Sequence, residues 1–412
     1  MKTLRVSVAL FGAALLVLAY SGTPEAFHSG GVAECGGCHS MHSPAPAGTF
    51  LLVKNDASST CLNCHEGSAG SYRVSTAPGS LGAGQAPIQR GPGGDFGWLK
   101  KDYTFTIRGT TSTEFGYTHG HNIVAADYGY LADPVKTTSP GGDFAAANLS
   151  CVTCHDPHGQ YRRLFSGNVS TTGGPIKGSG SFPGGEPDAN NAVGVYHLLA
   201  GAGYSRVAFP GVPAAKAPST YNRSEASTQT RVAYGRATTA GHTTWGNWCG
   251  TCHTDMHSSG SYVHPVDQNL SSATRINYER YVKTGDMTGS AATSFTSLVP
   301  FVTNSGDYAG TLSTLAVNNN SQLGGPAGAD QVTCLSCHRS HASGWRNALR
   351  WNGDSDFLTY SGNYPGTDTT PTLPQYALGR TSAETQAAYY DRPPSTFASY
   401  QRSLCNKCHA KD

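Results

Sequence analysis

Apolar residues run together for a long stretch only once in this chain, from Val6 to Ala19, directly after the basic Lys2 and Arg5. A basic start, a short apolar run and a small residue at Ala26 are the parts of a secretory signal, so residues 1–26 are expected to direct export and to leave a mature chain beginning at Phe27. No later stretch is apolar enough to span a bilayer. Elsewhere the alternation of apolar and polar positions is brief. Residues 101–109 (KDYTFTIRG) alternate with a period of two and predict a strand in a small hairpin. Residues 272–283 and 382–391 predict short helices, the second capped by Thr381 or Ser382. Between them stand turn formers such as Gly91-Pro92-Gly93-Gly94, Gly173-Gly174-Pro175 and Pro183-Gly184-Gly185.

Composition sharpens this picture. Glycine (51) and proline (23) are abundant among 412 residues, while charged residues are only 13%. Such a chain favours turns over regular elements, lacks the charge of a disordered polyelectrolyte and cannot be a coiled coil. The expected architecture is a single mature domain, 27–412, mostly coil and turn with a few short helices and a small β-hairpin.

The twelve cysteines explain what such a chain is built around. All of them fall in Cys-x-x-Cys pairs and every pair is followed by histidine: Cys35/Cys38/His39, Cys61/Cys64/His65, Cys151/Cys154/His155, Cys249/Cys252/His253, Cys334/Cys337/His338 and Cys405/Cys408/His409. This is the attachment signature of c-type haem. Two thiols add across the porphyrin vinyl groups and the next residue offers an imidazole to the iron. Zinc tetrads do not require that histidine. A thioredoxin-like centre needs one pair in a βαβ setting, and disulfides across two residues close a strained loop. Six covalent haems in a multihaem cytochrome c are therefore expected, with the chain of porphyrins itself as the core.

Six irons need six further ligands. The mature chain has only Met41, Met256 and Met287, too few for His/Met ligation throughout, so bis-histidine ligation is the economical reading. Ten histidines remain. His42, His158 and His341 each follow a proximal histidine by three residues, a span of at most about 10 Å, which cannot pass a porphyrin edge and return to its other face. Each must therefore bind a different haem. If His341 serves the third haem and His158 the first, His42 is left for a haem of the next subunit, which makes a head-to-tail polymer. His28, His121 and His264 complete the expected distal set, with His257 in reserve. His119, His197 and His242 read as surface groups or groups behind the ligands.

Haem changes the charge. The whole chain carries +2, but twelve propionates and six ferric centres take the exported protein to about −5, and full reduction to about −11. Nucleic-acid binding has no support. Arg162 and Arg163, beside the third motif, suit propionate pairing. The twenty-one tyrosines are expected mainly to pack, Tyr161 and Trp248 with them.

Stretches outside the haem motifs carry a resemblance: FHSGGVAEC at Phe27, PGGDFGW at Pro92, GHNIVA at Gly120, CHDPHG with YRR, APSTYNR at Ala217, CLSCHR with HASG, and CNKCHAKD at the end. With them the chain resembles the OmcS type, the outer-surface hexahaem cytochromes of metal-reducing bacteria that polymerise into conductive filaments. The resemblance implies a helical polymer around a continuous haem chain, all irons bis-histidine ligated and the histidine at His42 crossing the subunit boundary. It also implies an extracellular place, outer-membrane multihaem cytochromes as electron donors, and metal oxides, other cells or electrodes as acceptors. An electron carrier rather than an enzyme is expected. The alternatives are a monomeric periplasmic or outer-membrane shuttle and, further off, a multihaem oxyanion reductase, which needs an iron with an open position.

Overall fold

The computed structural model describes residues 35–46, 49–68, 73–77, 81–82, 84–157, 199–216, 232–236, 242–258, 264–292, 299–306, 310–316 and 326–409. The expected export signal lies outside them, and among the described residues no helix is long and apolar enough to cross a membrane.

Helices are short and most sit on the cysteine motifs. One-turn helices span Cys35–Cys38, Cys151–Cys154, Cys334–Cys337 and Asn406–His409, while the second motif closes Ala57–His65 and the fourth ends Trp245–Gly250. Side chains inside the motifs start the turns: the backbone N–H of Ser150 donates to Thr153 Oγ1 at 3.0 Å and that of Thr333 to Ser336 Oγ at 3.1 Å, the backward arm of a capping box. His155 and His338 then leave the helix in extended conformation.

The expected hairpin is present. Tyr103–Ile107 pairs antiparallel with Thr110–Glu114, Tyr103 opposite Glu114. Arg108 and Gly109 make the connection with φ of 49° and 82°, the left-handed pair that a two-residue hairpin turn requires. The two expected helices also form, and both stop early. Ser272–Arg280 begins on the Ser271 cap and ends where Tyr281 turns extended; Ser382–Ala388 begins on Thr381, whose hydroxyl accepts from Glu384 N–H, and ends before the left-handed Tyr390 and Asp391. Strand pairs of two or three residues add to the hairpin. Glu66–Gly67 runs parallel to Ser75–Thr76, Val212–Pro213 to His242–Thr243, and Ala233–Gly235 joins Ala215–Lys216 to Val302–Thr303. They are too short for periodicity to reveal.

The apolar side chains gather in several small clusters. The largest joins Trp98, Tyr103, Tyr278, Trp345, Trp351 and Tyr389. Aromatic rings pack as expected: Tyr364 stacks on Tyr389 at 5.3 Å, and Trp248 stacks on Phe209 at 4.7 Å while its indole N–H donates to Ala200 O. Tyr161, Arg162 and Arg163 lie outside the described residues.

Charge is buried among these rings. Arg380 and His119 are fully buried, with Glu114 between them. For His119 the surface alternative is thus corrected, because the hairpin and the Trp98 segment enclose its ring. Burial alone would raise the Glu114 carboxyl, but hydrogen bonding to His119 and the Arg380 charge outweigh it and hold the group at about 2. A depressed carboxylate stabilises the fold above its unfolded value of 4.5 and loses that contribution as pH falls through about 2. Guanidinium unfolding of the haem-loaded protein across this range is therefore expected to show wild type losing about 3 kcal/mol relative to Glu114→Gln. Parallel curves for the two proteins would contradict the assignment.

Candidate haem-binding sites

The six motifs form a series in space that follows their order in the chain. Cys38 lies near enough to Cys61 for its charge to act on that thiol. Cys61 and Cys151 hydrogen-bond each other, which pushes Cys61 up and Cys151 down. Burial pushes Cys154 up to about 12, with Cys252 adding to it. Cys249 and Cys334 repeat the thiol pair of Cys61 and Cys151. Burial pushes Cys337 up to about 12, with Cys405 and Cys408 beside it. The cysteine side chains described are free of disulfides. Neighbouring attachment sites are thus close together along the series, and thiol hydrogen bonds join the second to the third and the fourth to the fifth.

The two thiols of the second motif are placed differently. Cys61 lies one turn before the end of Ala57–His65, against Cys151, while Cys64 precedes the extended Glu66 and its carbonyl accepts from Arg73 Nη1. The second motif therefore meets the third through Cys61.

The histidines meet in pairs. His155 faces His341 with ring centroids 6.3 Å apart, His253 faces His121 at 6.0 Å, and His409 faces His264 at 6.3 Å. An imidazole nitrogen lies about 2 Å from a bound transition-metal ion and about 1.2 Å from its own ring centre, so two rings on opposite sides of one metal stand about 6.4 Å apart. All three distances fit a six-coordinate iron. Each pair joins a histidine of a cysteine motif to one of the expected distal set, and His341 faces His155 rather than its own neighbour His338, which the three-residue spacing excludes.

Ring orientation fits as well. The Nδ1–H of His39 donates to Phe50 O at 2.8 Å, of His253 to Pro140 O at 2.8 Å, of His338 to Asn347 O at 2.7 Å and of His121 to Ser340 O at 2.6 Å. A carbonyl on Nδ1 fixes the tautomer and leaves Nε2 as the ligating atom. Burial, with neighbouring imidazoles adding to it, lowers His121 and holds His341 at about 3. Both therefore present the neutral ring that binds metal.

The carbonyl acceptors are the site residues that sequence reading misses. At the first and fifth motifs they belong to the same device: Phe50 and Leu51 (φ 57° and 59°), and Asn347 and Ala348 (φ 57° and 55°), turn the chain back so that Leu52 bridges to His39 and Leu349 to His338. Val53 N–H then donates to Cys38 O and Arg350 N–H to Cys337 O. At the third motif Leu199 bridges to His155 and Ala200 N–H donates to Cys154 O. The intervening loops differ in length, so no fixed spacing announces the clamp.

Other described rings lie outside these three pairs. His42 is exposed, and no imidazole is stacked against His338 among the described residues, although His253 and His264 lie near enough for their charges to act on it. His257, the reserve candidate, faces no motif histidine among the described residues; its Nε2 donates to Asn247 Oδ1 at 2.9 Å and lies 3.7 Å from Asp267. His28, His158 and His197 and the side chains of Cys35 and His242 lie outside the described residues.

Comparison with known proteins shows what the chain is similar to. Over its whole length the chain is 46% identical to the C-type cytochrome OmcS of Geobacter sulfurreducens, which it also covers in full. Two solved structures, OmcS nanowires and an Outer Membrane Cytochrome S filament from Geobacter sulfurreducens, each match it with a TM-score of 0.80 at 45% identity, over 94% of this chain and all of theirs. No family model matches the chain.

The pairing of His264 with His409 gives a direct test. Spectroelectrochemistry of His264→Met is expected to move one of six potentials upward by on the order of 0.1 V, because a thioether stabilises the ferrous state relative to imidazole. Six unmoved potentials would remove His264 from the ligand set.

Proposed function

The chain belongs to the OmcS family of multihaem c-type cytochromes, and we propose that it is an extracellular electron conduit that assembles head to tail into a filament. Bound haem c supplies a reversible one-electron iron couple. The chain supplies everything else: twelve thiols that fix six cofactors in contact order, imidazoles that keep each iron six-coordinate, and carbonyls that hold those imidazoles in one tautomer.

The observation that carries the filament reading is the mismatch between two histidines. Among the described residues His338 is a motif histidine without a stacked imidazole, and His42 is an expected ligand that stands exposed. Each supplies what the other lacks. His42 of one subunit is assigned to the iron held by His338 in the next, which closes the ligand sets only in a polymer. His155 with His341, His253 with His121 and His409 with His264 serve three irons within the chain. Spacing assigns His158 to the iron of His39, and elimination leaves His28 for that of His65. Complete bis-histidine ligation is what suits a carrier, since substrate then has no open coordination position.

Export by residues 1–26 would place the conduit outside the cell, as a single mature domain 27–412. Outer-membrane multihaem cytochromes are its donors in this reading, and metal oxides or other extracellular acceptors receive the electrons. No nucleic acid takes part. A second reading draws on the same unmatched His338: left unligated in a monomer, its iron would be open, as a multihaem oxyanion reductase requires.

The two readings differ in His42→Ala. In a conduit, the variant purified from the cell surface is expected as discrete particles, with one high-spin ferric iron in six by electron paramagnetic resonance where wild-type filaments have none. Filaments that persist with every iron low-spin would overturn the assignment. A high-spin iron already present in wild type would favour the reductase.

A further inference from the structure

His119 joins no imidazole pair, yet its ring is completely buried two residues from His121. Its Nδ1 donates to Trp98 O at 2.9 Å and its Nε2 to Glu114 Oε1 at 2.6 Å. Glu114 accepts from Arg380 Nη2 as well. Arg380 lies over the rings of Tyr103 and Trp345, 4.1 and 4.6 Å from their centroids, and donates from Nε and Nη2 to Gly344 O at 3.1 and 2.7 Å.

Both ends of this network grip one segment. Ser343 N–H donates to His119 O at 3.1 Å, and the next residue, Gly344, is the one that Arg380 holds. The segment carries His341. Between the grips Gly120 and Ala342 form an antiparallel bridge, His121 N–H donates to His341 O at 2.9 Å, and the His121 ring donates to Ser340 O. A Cβ on Gly120 would stand 2.3 Å from His341 O, so the approach is as close as glycine allows. The backbone carrying the distal ligand opposite His155 and that carrying the one opposite His253 are one hydrogen-bonded unit, and the charge network closes it.

Buried ionic networks of this kind contribute little stability beyond what apolar packing would. Their directional bonds can instead fix geometry. We propose that His119, with Glu114 and Arg380, is a positioning device that sets His121 and His341 together, so that the third and fourth haem sites share one ligand geometry. The inference rests on the ligand assignments above.

The test uses the haem-loaded, full-length protein, with resonance Raman, electron paramagnetic resonance and spectroelectrochemistry as readouts. His121→Met and His341→Met first identify which two of the six potentials belong to these ligands. His119→Leu is then expected to shift those same two and to alter the low-spin signals of the same two irons, leaving four unchanged. His119→Gln, which can still donate to Glu114, is expected to restore part of both shifts. Glu114→Gln, close to wild type in shape, is expected to give the same paired effect and stands in should His119→Leu not fold. A shift in only one potential, in none or in all six would overturn the proposal, and so would stability loss without a spectroscopic change. If His121→Met and His341→Met themselves moved no potential, the ligand assignments would have failed and not the clamp.

Discussion

The proposed conduit depends on pairs of imidazoles that stand about 6 Å apart, the spacing of two rings across one metal ion. The partners come from distant parts of the chain: His155 meets His341, His121 meets His253, and His264 meets His409. In an ordinary domain, such distant segments are brought together by sheets or packed helices. Here regular elements are mostly a single turn or two residues long, and the apolar clusters are small and separate. In the proposed assignment, a haem held by two thioethers and two imidazoles would tie distant segments together, and the chain could then dispense with long elements. Its richness in glycine follows, since backbone must approach backbone closely where ligand segments cross, as Gly120 does at His341.

How much of this was legible in the residues divides along a physical line. Features fixed by local chemistry were readable: the cysteine motifs, because thioether attachment demands the spacing; the hairpin, because residues 101–109 alternate; and the cap of the second helix at Thr381 or Ser382. The impossibility of His341 binding beside its own His338 was readable too, because it follows from chain length alone. Features fixed by contacts across variable loops were not. The carbonyls of Phe50, Pro140 and Asn347 that orient the proximal rings carry no side-chain signature. Spacing treats Cys61 and Cys64 alike, and only the packing of the third motif against the second sets Cys61 apart by its hydrogen bond to Cys151. His119 resembles any spare histidine in sequence, and its enclosure between the hairpin and residues 343–344 is what distinguishes it.

The ligand order reveals a repeat that sequence similarity hides. Among the described residues, His121 precedes the third motif yet faces the fourth, and His264 precedes the fifth yet faces the sixth. Between each such pair lies an odd-numbered motif, and the third and fifth share with the first the leucine clamp behind the proximal histidine. The molecule is therefore built from units of two sites. In the proposed assignment an upstream histidine closes the even site within the unit, and the odd motif reaches outward with a histidine three residues on. His28 and His65 take the corresponding places in the first unit of the proposed assignment. Loops of very different length within the units explain why no tandem repeat is visible.

Units of two sites also govern assembly. If every odd motif gives its second histidine to the odd site of the unit before it, a chain of any finite number of units ends with one donor and one acceptor unmatched. In the proposed assignment the unmatched donor is His42 and the unmatched acceptor is the site of His338. The contact that joins them between subunits is then the same contact that joins His341 to the site of His155 within one. A heterologous contact of this kind does not close on itself unless rotation happens to return it to the start, and otherwise it propagates as an open filament. Polymerisation thus needs no interface chemistry beyond what already joins one unit to the next. The subunit boundary is simply where the peptide bond is missing.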